Sequence, residues 1–139
     1  TQFAKGMNPI ACSRAFDYVR TEPGNKVVIL TLDDLHEAAK GSEHVAWYYD
    51  TDYEFLNDDS IKQIIVGGIR HLDNYVRLQM AGIPANKIVH AQDELEAVNG
   101  LNLEGIDTIF ILHDLYSMEI RDRIKHKVEI MIRSNRIKE

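Results

Sequence analysis

At 139 residues, 45% of them apolar, the chain is long enough for one compact domain with its own hydrophobic core. A net charge of −6 argues against a broad electrostatic grip on nucleic acid or on an anionic membrane. The single cysteine, Cys12, cannot form an internal disulfide, no apolar run reaches the ~18 residues of a membrane span, and no signal-peptide pattern opens the chain. A cytoplasmic domain is expected, and the start at Thr1 without an initiator Met reads as a piece of something longer.

Asn8-Pro9 ahead of Ala11, Ala15, Phe16 and Val19 predicts a helix capped by Asn8, with Pro9 at its first position. Pro23-Gly24-Asn25 breaks it. Residues 26–32 (KVVILTL) are apolar without alternation, the pattern of a strand buried on both faces. A polar connection covers 33–42. Residues 45–49 (VAWYY) are β-prone and predict a second strand that runs out into Asp50-Thr51-Asp52. A third strand over 61–66 closes at Gly67-Gly68. The helix after it carries Ile69, Leu72, Val76 and Met80 at spacings of three and four, which predicts an inward face, and Gly82 ends it. A short strand at 87–90, a short helix at 93–98 and a buried strand at 108–112 (TIFIL) follow. The last helix lines up Ile120, Ile124, Val128 and Met131. Strands alternating with helices, with no repeat or long linker, predict one Rossmann-like α/β domain over 1–139, mostly parallel, with helices on both faces.

In such sheets ligands gather past the carboxyl ends of strands, which places Asp50 where a carboxylate meets a substrate or partner. The plainer reading is that Asp50 and Asp52 only end the strand and cap a turn. Gly67-Gly68 sits where backbone N–H groups receive an anion, yet it is neither a GxGxxG nor a Walker loop, so a tight turn is favoured and no ATP-phosphate site is visible. Arg70, Asp73 and Arg77 share a helix face; such pairs usually sit on a solvated face and contribute about 0.3–0.5 kcal/mol each. Docking of an acidic group is the sharper alternative. The carboxylates Asp50, Asp52, Glu54, Asp58 and Asp59 lack the glycine and distant glutamate of a calcium loop. The six histidines show no metal-ligand spacing, but His113-Asp114 follows the TIFIL strand at its carboxyl end. Cys12 has no base nearby in sequence, and no GxSxG elbow is present.

Four segments, in order, resemble the C-terminal domain of the MurT family, the Mur-ligase-like subunits of bacterial lipid II isoglutaminyl synthase. Ala4-Lys5-Gly6-Met7-Asn8-Pro9 is similar to that domain's Lys-Asn-Pro opening. The stretch from Val45 through Trp47-Tyr48-Tyr49-Asp50-Thr51-Asp52-Tyr53-Glu54 resembles its S-W-I-W-D-x-D-F-E. Gly68-Ile69-Arg70-His71-Leu72-Asp73, then Arg77-Leu78 and Ala81-Gly82, resemble G-x-R-x-x-D-x-x-x-R-L-x-x-A-G. Residues 112–121 (LHDLYSMEIR) resemble L-P-T-Y-T-A-M-L-x-L-R, with His113-Asp114 in place of Pro-Thr.

The resemblance implies a Mur ligase C-terminal type of fold, serving a subunit whose ATP- and Mg-using central domain, often with a four-Cys zinc ribbon, is not in this sequence. It implies a GatD-type glutaminase partner that releases ammonia, and lipid II as the substrate whose D-glutamate is amidated. It further implies that an aspartate of this domain completes the partner's Cys-His-Asp triad. Position in the motif gives that role to Asp50, with Asp52 as the alternative. Trp47, Arg70 and His113 are candidate substrate or partner contacts. On this reading the domain alone catalyses nothing and holds no cofactor or metal. The alternatives are the C-terminal domain of a conventional Mur-type amino-acid ligase, whose D-Y-A-H-N-P-type opening is absent, and a non-enzymatic Rossmann-like binding domain.

Overall fold

A computed structural model describes residues 2–3, 8–32, 46–113 and 118–138. In chain order it forms β1 (Gln2–Phe3), α1 (Pro9–Thr21), β2 (Lys26–Thr31), α2 (Trp47–Asp50), β3 (Ile61–Gly67), α3 (His71–Met80), β4 (Ile88–Ala91), α4 (Glu94–Val98), β5 (Thr108–His113) and α5 (Met118–Lys138). The five strands make one sheet in the order β1-β5-β2-β3-β4, and every neighbouring pair is parallel. The predicted α/β class and parallel sheet are what the chain forms.

The centre of the sheet is β2, whose six residues are all buried. Val28 faces Ile64 of β3 on one side and Phe110 of β5 on the other. The pleat sends Val28 and Leu30 to one core, with Phe16, Val19, Tyr48, Tyr53, Ile64 and Leu78. It sends Val27 and Ile29 to the other, with Ile65, Val98, Ile111, Ile124 and Val128. Helices α1, α2 and α3 therefore cover one face, and α4 and α5 the other. Each buried Val, Leu or Ile side chain contributes about 1.5–3 kcal/mol. No helix among the described residues is long and apolar enough to cross a membrane.

Local signals set several ends. The Asn8 side chain accepts from the Ala11 N–H at 3.0 Å, and Asp93 accepts from the Glu96 N–H at 2.9 Å. Gly68 turns the chain between β3 and α3 at φ 114°, and its N–H donates to the Gln92 carbonyl at 3.2 Å. A Cβ on Gly67 would lie 2.6 Å from the Glu94 backbone, so this pair is a tight turn closed by α4.

The strand expected to be buried throughout 108–112 is buried only in its second half: Thr108 is exposed, and Ile109 and Phe110 are half-buried. Two further expectations are overturned. The strand expected over 45–49 is a single helical turn from Trp47 to Asp50; Val45 and the connection over 33–42 lie outside the described residues. Trp47 and Tyr48 turn inward while Tyr49 and Asp50 face out, a two-in, two-out pattern that a strand cannot give. The Thr51 hydroxyl donates to the Trp47 carbonyl at 2.7 Å and closes the turn. The second correction concerns α3. Its stripe of Ile69, Leu72, Val76 and Met80 is exposed, each by 41% or more, and the inward face carries Asn74, Arg77 and Leu78.

Candidate functional site

The α2 turn stands against the carboxyl end of β2. The Tyr48 hydroxyl donates to the Leu32 carbonyl at 3.3 Å, and the Asn74 amide of α3 donates to the Tyr48 oxygen at 3.3 Å. Asn74 also accepts from the Tyr53 hydroxyl at 2.7 Å. Burial, first of all, holds the Tyr53 phenol well above its ordinary pKa, so it stays neutral and donates. Phe16 meets the Tyr53 ring edge-on with centroids 5.1 Å apart, which links α1 to the same cluster. The aromatic run that suggested a strand thus supplies a rigid base.

Asp50 ends this turn and is exposed. Asp52 is exposed beside it, with its backbone N–H donating to the buried Ser13 hydroxyl of α1 at 2.9 Å. Pro9, Ile10, Arg14, Asp50, Asp52 and Phe55 line a groove of about 310 Å³ between α1 and the α2 turn. Asp50 and Asp52 therefore share one groove with a third carboxylate, Asp17, with the cationic Arg14 and with the apolar Pro9, Ile10 and Phe55.

On the opposite side of the turn lies Arg77. Its Nε donates to the Tyr48 carbonyl at 2.8 Å, and Nη2 donates to the Thr51 carbonyl at 2.9 Å. Nη2 also reaches both Glu54 carboxylate oxygens, at 3.0 and 3.1 Å. The guanidinium carbon stands 4.9 Å from the Tyr53 ring centroid. Arg77 is 5% exposed, so the solvated face expected for it is not what forms. Hydrogen bonds from a charged donor contribute about 1.5–3 kcal/mol each, several times a surface pair.

The remaining sequence candidates lie elsewhere. Trp47 is 7% exposed and packs edge-on against Tyr48; its indole N–H has no acceptor among the described residues. Arg70 is half-buried at the start of α3, with Asp73 at 3.8 Å. His113 is buried at the end of β5, with Arg121 Nη1 3.3 Å from its Nε2, and Asp114 falls outside the described residues. Neither Arg70 nor His113 lines the groove. Cys12 is fully buried on α1. Ser13 is the site residue that sequence reasoning missed, and Arg77, though named, was expected on a solvated face. Ser13 has no local signature, whereas Arg77 was visible as the arginine of the Arg-Leu pair in the resemblance to the family motif.

Comparison with known proteins gives a match to the family model described as MurT ligase C-terminal, over residues 6–118. A lipid II isoglutaminyl synthase (glutamine-hydrolyzing) subunit MurT of Streptococcus pneumoniae is 26% identical over 105 residues, which is 76% of this chain and 23% of that protein. The subunit of the same name from Staphylococcus aureus strain COL is 33% identical over 82 residues, 59% of this chain and 18% of that protein. The chain thus spans about a fifth of the length of the curated relatives it matches. The matched span takes in the Asp50 turn, the Gly67-Gly68 turn and Arg77, and the chain belongs to the MurT ligase C-terminal family.

Proposed function

We propose that this chain is the C-terminal domain of an ATP-dependent amidotransferase subunit that amidates the D-glutamate of lipid II. Its ammonia comes from a GatD-type glutaminase, which docks on the groove face, and Asp50 completes that partner's Cys-His-Asp triad. The observation that carries the reading is Asp50 itself: an exposed carboxylate on a turn braced from two sides, at the edge of an open groove. Family membership and the relatives' printed names support it.

The chemistry asked of Asp50 is modest. A carboxylate accepting from an imidazole N–H fixes the tautomer of the ring and stabilises the imidazolium that forms when the partner's thiol gives up its proton. The thiolate then attacks the glutamine carboxamide. Such a carboxylate has to be held in place yet reachable, as Asp50 is. ATP and Mg act, on this reading, at the ligase centre of the longer protein, and any structural Zn belongs to its central domain. At the one strand-to-helix turn that could have received a phosphate, the Gly68 N–H is committed to the Gln92 carbonyl.

The docking part is tested by gel filtration of the full-length subunit with its glutaminase. Ile10 lines the groove and is 68% exposed, so Ile10→Glu changes the face without disturbing the core. The wild type should co-elute with the glutaminase and Ile10→Glu should bind about tenfold or more weakly, as expected for an apolar anchor at an interface. Unchanged affinity in Ile10→Glu would remove the groove from the interface.

A further inference from the structure

We infer that Arg77 is a positioning residue for Asp50, fixing the backbone from which its carboxylate reaches out rather than only holding the fold together. The inference rests on the reading of Asp50 as a triad member. Asp50 is exposed, and no side chain among the described residues donates to its carboxylate, so the position from which the side chain reaches out is set by its backbone. That backbone is bracketed. Arg77 holds the carbonyl of Tyr48, two residues before Asp50, and the carbonyl of Thr51, directly after it. One rigid guanidinium plane thus fixes both ends of a four-residue segment with Asp50 inside it. Its own orientation is set by both oxygens of Glu54 and by the Tyr53 ring.

The geometry also explains why an arginine stands here. A lysine has the charge but not the planar fork, and its single ammonium cannot reproduce the Nε and Nη2 contacts to carbonyls on opposite sides of Asp50. Thr51, closing the turn onto Trp47, and Ser13, holding the Asp52 N–H, tie the turn to itself and to α1. Asn74 ties it to α3 through the Tyr48 hydroxyl, whereas Arg77 ties its backbone there, on both sides of Asp50. A loosened turn keeps the carboxylate but lets it wander. For a group that must meet a partner's imidazole, misplacement by about 1 Å costs up to about 100-fold.

The test uses the full-length subunit with its glutaminase and compares amidation of lipid II fed by glutamine with amidation fed by free ammonia. Arg77→Lys should lower the glutamine-dependent rate by about 10–100-fold and leave the ammonia-dependent rate near wild type. Added to Asp50→Asn, Arg77→Lys should cause no further loss of the glutamine-dependent rate, because both act through one carboxylate. If Arg77→Lys fails to fold, Glu54→Gln serves, since Glu54 is exposed and its change weakens only the orientation of the guanidinium. It should shift the same ratio in the same direction by a smaller factor. Where Asp50→Asn separates the two nitrogen sources but the Arg77 and Glu54 variants do not, positioning is overturned and the Asp50 reading stands. Where Asp50→Asn itself fails to separate them, both fall together.

Discussion

Nδ1 of His71, at the start of α3, lies 2.9 Å from Nδ1 of His90, at the end of β4. The two rings stack with centroids 5.2 Å apart, and Tyr75 stacks on His90 at 4.3 Å. One nitrogen of such a pair must donate and the other accept, so at most one ring is protonated while the bond exists. Burial, and then the charge of His71, hold His90 below its ordinary value of 6.5. Between that lowered value and 6.5 the unfolded chain binds more protons than the folded one, so stability rises with pH through this window. Chemical denaturation should show the domain losing stability as pH falls from about 7 to about 5, the range in which an ordinary histidine titrates. His90→Gln should flatten that part of the curve. An unchanged slope in the variant would assign it to other groups.

The exposed stripe on α3 makes a second expectation. Leu72→Ser and Val76→Ser should each change stability by no more than about 0.5 kcal/mol, whereas Leu78→Ala, at a fully buried position on the same helix, should cost about 2–5 kcal/mol. Urea denaturation of the three variants separates the faces. A large loss at Leu72 or Val76 would mean that the helix is rotated from the orientation described.

Strand β5 offers a graded test. β1 pairs only with Leu112 and His113, so the first half of β5 is less covered than β2. Ile111 is 4% exposed and faces the α5 core, so Ile111→Asp buries an unpaired charge and should prevent folding. Ile109 is half-buried, so Ile109→Asp should be milder, yielding a folded protein with a reduced melting temperature. Equal behaviour of the two variants would contradict the uneven covering of this strand.

The sheet was legible because its central strand β2 is buried on both faces, and a continuous apolar run such as 26–32 has no other stable home. The cap at Asn8 was legible because a side chain next to a helix start acts within four residues. What failed was long-range. Trp47-Tyr48-Tyr49 has β propensity, yet Tyr48 is held by Leu32 and Asn74, residues far along the chain, and these contacts select a helical turn. The spacing of Ile69, Leu72, Val76 and Met80 correctly marked one face of α3 but could not say which way it points. Asn74 and Arg77 point inward because buried carbonyls and a phenol need their donors and acceptors. The two-residue β1 carries no pattern at all. Asp50 was singled out as the end of an expected strand, which is a helical turn, and by resemblance to a motif; its brace could only be seen in three dimensions.

The nitrogen-source contrast for Asp50→Asn in the full complex tests the central claim most directly. Asn keeps the shape of the side chain and removes the charge that would orient and stabilise a partner imidazolium. Glutamine hydrolysis and glutamine-dependent amidation of lipid II should fall by about 10⁴-fold, the loss seen when a triad aspartate becomes asparagine. Amidation supplied with free ammonia should continue at the wild-type rate, and Asp52→Asn should be the milder change. Equal loss with both nitrogen sources would place Asp50 at the ligase centre instead, and no loss with either would leave it as the end of a helical turn.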